Sequence, residues 1–274
     1  MTSRPAVSRG LNRNFKMSKL TIRKMMNIVR IPLIVTALAV GATAAYAQPA
    51  IPKLAPMPAE LETRYALSAL PPALRATASV YLLDTKTGYH LARKGTSGLN
   101  CLVQRTAWEL NDFRDDIYYP LCFDPEGSKT YLKVIMDSAK LRIQGLGPPA
   151  LTKLVKGRYA AKTYRGASKP GLSYMVGPVM RTIGPDKKVQ TMAMPHLMFY
   201  ASGITNEDIG AKPNPAVFST LMNPFVDRQG NAEQSFLIQM IGDAEKAKIM
   251  AEEKRLVDDL CAYRDVLCLH KMTH

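Results

Sequence analysis

The chain has 274 residues, 47% hydrophobic and 22% charged, enough apolar material for one packed domain and far from the composition of a disordered or fibrous chain. Its formal charge of +15 is weak evidence for nucleic acid, because eight of the 37 basic groups fall before residue 48 with no acid among them. The remainder carries 29 basic groups against 22 acids, a modest +7.

Those first residues read as a signal peptide over 1–47. A basic segment precedes "IPLIVTALAVGATAAYA", which ends in the small-x-small pattern Ala45-Tyr46-Ala47. A retained anchor is the rival, but this apolar run is 17 residues long and diluted by Pro32 and Gly41, short of the roughly 20 that span a bilayer. The expectation is a periplasmic or extracellular protein cleaved near Ala47. A Pro-rich linker over 48–57 follows, then one α+β domain over 58–274 with a mainly antiparallel sheet, a basic helical pair and a C-terminal helix.

In chain order, Pro58 to Leu70 reads as a helix with Leu61, Tyr65 and Leu70 turned inward, stopped by Pro71-Pro72. From Ala78 the pattern is β: "ASVYLLD", a turn at "TKTG", "YHLARK", a turn at "GTSG", then "LNCLVQR", a three-stranded meander. The "GTSG" loop has neither the G-x-x-x-x-G-K-[ST] spacing of a phosphate loop nor the G-x-S-x-G of a nucleophile elbow. A hairpin loop accounts for Gly95 and Gly98.

Between Lys129 and Lys169 apolar residues recur at helical spacing on both sides of "GLGPP", giving two helices. They carry ten basic residues against one acid, Asp137. Such a pair is most simply a solvated face, and an anionic envelope surface is the partner it suits. No nucleic-acid module accompanies it. Strands resume at "LSYMVGPVMRTI", "VQTMAMPHLMFYA" and "EQSFLIQMI", with a loop over "NPAVFSTLMNPFVDRQGN". A last helix starts at Asp243 with Ala247, Met250, Ala251, Val257 and Leu260 inward.

Cys101, Cys122, Cys261 and Cys268 all lie beyond the leader, where an exported chain keeps disulfides. Three pairings are possible, and proximity in sequence favours Cys101 with Cys122 and Cys261 with Cys268. The second requires a break in helix, since seven helical steps separate two residues by roughly 10 Å. The C-x-x-C spacing of a zinc site is missing.

Alternation along "MAMPHLM" puts Met192, Met194, His196 and Met198 on one face of a strand. Thioethers and an imidazole suit Cu(I), whereas methionine is also a flexible core filler and a lone histidine is commonly a hydrogen-bonded structural residue. No cofactor is expected, with copper as the one candidate. Asp112, Asp115 and Asp116 beside Tyr118 and Tyr119 are the acids a hydrolase would recruit with His196. Their spacing shows no convergence, and the run reads as a solvated turn. His270 and His274 fall on a C-terminal tail.

Four segments together, Arg93-x-Gly95-Thr96-Ser97-Gly98-x-x-Cys101, Pro120-x-Cys122-x-Asp124, Tyr174-Met175 and Pro195-His196-x-Met198, resemble a pattern of uncharacterised secreted bacterial proteins. The resemblance spans roughly residues 90–200 and departs at Ser97 and Leu99, where that pattern has asparagine and an aromatic. It implies an exported domain with a Cys101 to Cys122 link and implies no reaction. Of the motif residues, Arg93, Tyr174 and His196 are the candidate ligand contacts. The resulting expectation is a non-catalytic, envelope-associated or ligand-binding domain, with a copper protein or a hydrolase as the alternative.

Overall fold

A computed structural model describes residues 51–183 and 188–269. The leader, the first residues of the linker, His270 and His274 lie outside the described residues.

Residues 51–57 form neither helix nor strand, yet Leu54 and Met57 are buried against the domain. Pro58 then caps α1 (Ala59–Ser68), which buries Leu61 and Tyr65 as its spacing predicts, and Pro71 caps a single turn, α2 (Pro72–Arg75). Strands β1 (Ser79–Asp84) and β2 (Gly88–Arg93) form an antiparallel hairpin. Its turn is closed by Asp84, whose carboxylate accepts from the N–H groups of Lys86 and Thr87, and by Gly88 at a φ of +100°.

The expected meander stops there. Strand β3 (Asn100–Gln104) does not pair with β2; it crosses to the far side of β1 and runs parallel to it. "GTSG" is therefore a crossover and not a hairpin loop. The N–H groups of Thr96 and Ser97 both bond the carbonyl oxygen of Thr77, and Gly95 lies directly against that backbone.

β4 (Tyr119–Phe123) returns antiparallel to β3 and leads into α3 (Pro125–Lys129), α4 (Tyr131–Ile143) and α5 (Pro148–Ala160). Asp124 caps α3 by accepting from the Gly127 N–H at 2.7 Å. The rest comprises β5 (Leu172–Met175), β6 (Met180–Ile183), β7 (Val189–Met192), β8 (His196–Tyr200), β9 (Phe225–Arg228) and β10 (Ser235–Met240). β9 lies within the stretch expected to be a loop. Eight strands form one sheet in the order β2-β1-β3-β4-β5-β8-β10-β9, and β6-β7 make a separate two-stranded ribbon. Only the β1–β3 pairing in that sheet is parallel, so the fold is α+β with a mainly antiparallel sheet.

Alternation sorts the strand residues onto two faces. One carries Val80, Leu82, Cys101, Val103 and Cys122 against α1 and the C-terminal helix α7 (Lys254–Tyr263). The other carries Leu102, Leu121, Phe123, Met198, Phe236 and Ile238 with Tyr131 and Ile135 of α4.

The helix expected from Asp243 is divided. Its first part, α6 (Asp243–Glu252), buries nothing and leaves Ala247 and Ala251 exposed, while α7 buries Leu256 and Leu260.

Both disulfides follow the sequence-adjacent pairing. Cys101 and Cys122 are cross-strand partners with Cα atoms 4.0 Å apart. Cys268 reaches Cys261 because the chain leaves the helix at Arg264, extended at a φ of −157°. Among the described residues no helix is long and apolar enough to cross a membrane.

Candidate ligand cavity

The α4 face of the sheet is not filled. Between its β4-β5-β8-β10-β9 portion and a cover made of α4, the β6-β7 ribbon and residues 215–221 lies a cavity of about 540 Å³, inside the range of small-molecule sites. Its floor is built by alternation: Leu121 and Phe123, Met175, His196 and Met198, Phe236 and Ile238, and Phe225 all project to this side. Met180, Ile183 and Met192 come down from the ribbon, and Phe218 and Leu221 from the loop.

The four residues singled out in "MAMPHLM" meet here, although the single strand expected over them is interrupted. Met192 ends β7, His196 begins β8, and Ala193, Met194 and Pro195 between them belong to neither. Met192, Met194, His196 and Met198 nonetheless all line the cavity, and Met175 and Met180 add two more thioethers.

His196 is almost wholly buried and its Nδ1 lies 2.7 Å from the Met194 carbonyl oxygen. A carbonyl only accepts, so Nδ1 carries the proton and Nε2 keeps its lone pair. Burial lowers the imidazole pKa and holds it neutral, against a smaller raising effect of that hydrogen bond. Among the described residues no cluster of three or more histidine, cysteine or carboxylate groups is placed to hold a metal ion.

Glu109 is the cavity residue that sequence reasoning missed. It sits in the 3-10 turn Trp108–Leu110, with the Gly230 backbone packed over it: a Cβ on Gly230 would stand 3.0 Å from the Cβ of Glu109. Its Oε2 is buried and takes no hydrogen bond from any described residue. Desolvation pushes the carboxyl pKa up to about 7, aided by the nearby Asp227 and resisted by a hydrogen bond from its own backbone. The one sequence signal was its place next to Trp108, the only tryptophan of the chain.

The other candidates are elsewhere. Arg93 spends its guanidinium on the carbonyl oxygens of Arg75 and Ala78, holding the end of β2 to the chain before β1. Tyr174 pairs with Leu197 and Cys122 and borders the α1 side of the sheet, so neither lines the cavity.

The acids expected on a solvated turn are largely paired. Asp116 is buried between Arg114 and Arg181, and Asp115 binds Arg264 at 2.6 Å. They do not approach His196, and only Asp112 of the three stays exposed and unengaged by an ion pair among the described residues.

The basic helical pair is likewise not a uniform cationic face. Arg142 is buried and donates to the carbonyl oxygens of Pro52, Arg105 and Arg114; desolvation and the neighbouring Arg105 lower its pKa to about 10. Lys133 and Arg158 pair with Asp137, and Lys162 with Glu233. No family model, curated protein or solved structure matches this chain.

Proposed function

We propose that this chain is an exported, disulfide-stapled binding protein that holds a small apolar molecule in the methionine-lined cavity without transforming it. The observation that carries the reading is the cavity itself: a largely apolar chamber on the inner face of the sheet, with a few polar groups placed in it. Methionine suits such a role because an unbranched thioether adapts its shape to a guest more readily than a branched aliphatic side chain does. A volume of about 540 Å³ accommodates an organic molecule far better than a lone ion, which favours this reading over copper.

Export is supported by the basic and apolar leader pattern, by the resemblance to secreted proteins and by two disulfides. The motif residues fit a structural role: Gly95 permits the crossover, the cysteines join β3 to β4, and Asp124 caps α3 while accepting from Leu172 N–H and Tyr200 O–H.

The test is protein secreted from a bacterial host and purified without denaturant, then titrated with the neutral fluorophore N-phenyl-1-naphthylamine. One-to-one binding with enhanced emission is expected, and Met198→Trp, which fills the cavity, abolishes it while the far-ultraviolet circular dichroism and the cooperativity of unfolding stay native. Absence of binding to the wild-type protein overturns the reading. Metal analysis and thiol counting on the same sample decide the remaining points: stoichiometric copper would favour the metal alternative, and four free thiols would overturn export.

A further inference from the structure

The polar groups of the cavity are unevenly matched. Glu109 Oε2 is a buried acceptor without a donor among the described residues. His196 presents Nε2 as a second acceptor, because its one proton is committed to Met194. Asp227, exposed on β9 at the cavity rim, is a third, its Oδ2 already accepting from Gln229 Nε2 at 3.2 Å.

Of the donors close to this end of the cavity several are engaged with one another, while Arg228 and Gln190 line it without a donated hydrogen bond among the described residues and Trp108 Nε1 is buried without a partner among them. Tyr119 and Thr182 share one hydrogen bond at 2.7 Å, and the Gln104 amide donates to the Thr106 carbonyl. A buried acceptor with no donor is a cost to folding, and a guest that brings a donor removes it.

We propose that the natural guest is a cationic amphiphile, an apolar body bearing a primary or secondary amine, whose ammonium group donates to Glu109 Oε2 while its hydrocarbon part lies among Met175, Met180, Met192 and Met198. This rests on reading the cavity as a ligand site and adds the chemical class of the ligand. An ammonium supplies both the missing donor and the positive charge that keeps the carboxylate ionised in an apolar chamber. A fatty acid fits less well, since its carboxylate would add a fourth acceptor and a third negative charge beside Glu109 and Asp227, with Arg228 as the one cation among the described lining residues.

The experiment compares dodecylammonium, dodecanol and dodecanoate below their micellar concentrations, with the emission of Trp108, adjacent to Glu109, as the readout. Dodecylammonium is expected to bind at least about tenfold more tightly than either of the others at pH 8, the scale of a hydrogen bond to a charged group. Glu109→Gln, nearly isosteric and uncharged, is expected to erase that preference, bringing dodecylammonium affinity down to about that of dodecanol.

The charged or titratable groups that interact with Glu109 are Asp227 from β9, Tyr119 from β4 and Tyr159 from α5, and Arg228, His196 and Tyr131 line the same cavity. With Glu109 ionising at about 7, wild-type affinity for dodecylammonium rises about tenfold between pH 6 and pH 8. The Glu109→Gln protein shows no such rise.

Equal or tighter binding of dodecanol or dodecanoate, or an ammonium preference that survives Glu109→Gln, overturns the inference and leaves the cavity reading standing. If none of the three binds, the cavity reading falls and the inference with it.

Discussion

Arg181 and Asp116 lie 65 positions apart and are joined by two hydrogen bonds, from Nη2 and Nε of the guanidinium to the same carboxylate oxygen, at 2.7 and 3.2 Å. Arg181 belongs to β6, and its remaining nitrogen donates to the hydroxyl of Thr191 in β7 and to the carbonyl of Val266 near the C-terminal disulfide. One side chain thus fastens the ribbon that covers the cavity to two distant parts of the chain. The acids that the sequence presents as a solvated turn are the anchor of that arrangement.

Asp116→Ala leaves Arg181, with its side chain only 13% exposed, without its counter-charge. A loss of about 3 kcal/mol or more in urea unfolding is expected, together with faster amide exchange in β6 and β7 than in β3 and β4. Burial raises the Asp116 pKa, but the hydrogen bonds from Arg114 and Arg181 outweigh it and hold the carboxyl below its usual value. Its contribution is therefore complete above the unfolded value of 3.8 and is lost as pH falls below that point. The mutant accordingly loses part of the acid sensitivity that the wild type shows there.

Gly95 approaches Thr77 so closely that a Cβ would stand 2.2 Å from the carbonyl oxygen and 2.4 Å from the Ala78 carbonyl carbon. Both are backbone atoms and cannot swing aside as a side chain would. Gly95→Ala must push the crossover away from β1, which strains the neighbouring parallel pairing of Ser79 with Asn100. A cost of about 3 kcal/mol is expected, while Ser97→Asn in the same loop, which disturbs only the exposed hydroxyl's bonds to the Thr77 carbonyl and the Leu99 N–H, is expected to cost about 1 kcal/mol or less. Thermal unfolding of the two proteins side by side checks the contrast.

This crossover shows where sequence reading stops. Two strands with a short Gly-containing loop between them look like a hairpin to any local rule, because the choice between pairing with β2 and with β1 is made by contacts outside the window. The α1 helix and the β1–β2 turn were legible because their determinants, Pro58 with the Leu61 and Tyr65 spacing, and Asp84 with Gly88, sit within a few residues of what they control. β9 was not, since four residues after Pro224 carry little signal until β10 lies beside them. At the cavity, alternation found His196 with Met192, Met194 and Met198 despite the interruption at 193–195. Glu109 escaped because its burial depends on Gly230, far along the chain, and the acids that follow it suggested a wet turn.

Glu62 offers a test of the opposite sign from Asp116. It lies in α1, almost fully buried, with Oε1 accepting the Leu83 N–H at 3.0 Å. Desolvation pushes its pKa from 4.5 up to about 7, against the lowering effects of that hydrogen bond and of Arg105. A carboxyl raised in the folded state favours folding fully below its unfolded value, and this advantage fades as pH climbs from about 4.5 to about 7. At 1.36 kcal/mol per unit the swing is about 3 kcal/mol. Glu62→Gln keeps the acceptor for Leu83 and removes the ionisation, so the mutant is expected to have a flatter stability profile between pH 5 and pH 8 and a higher Tm than wild type at pH 8. A profile as steep as that of the wild type would assign the pH dependence to other groups.

The two disulfides differ in what they constrain. Cys101 and Cys122 close a loop of 21 positions between adjacent strands in the middle of the sheet, whereas Cys261 and Cys268 close only seven at the end of α7. Chain entropy assigns about 3 kcal/mol to the first and about 2 kcal/mol to the second. The first also lies where α1 meets the sheet, beside Ala66, Tyr65 and Val80, all fully buried. Replacing Cys101 and Cys122 together by alanine is therefore expected to lower the urea midpoint more than replacing Cys261 and Cys268. The second pair of changes acts on a different part of the fold: it loosens the turn that offers the Val266 carbonyl to Arg181, so its effect appears as faster amide exchange in the β6-β7 ribbon before global unfolding. Equal exchange rates in the ribbon of both double mutants would show that the C-terminal disulfide does not help hold the cover over the cavity.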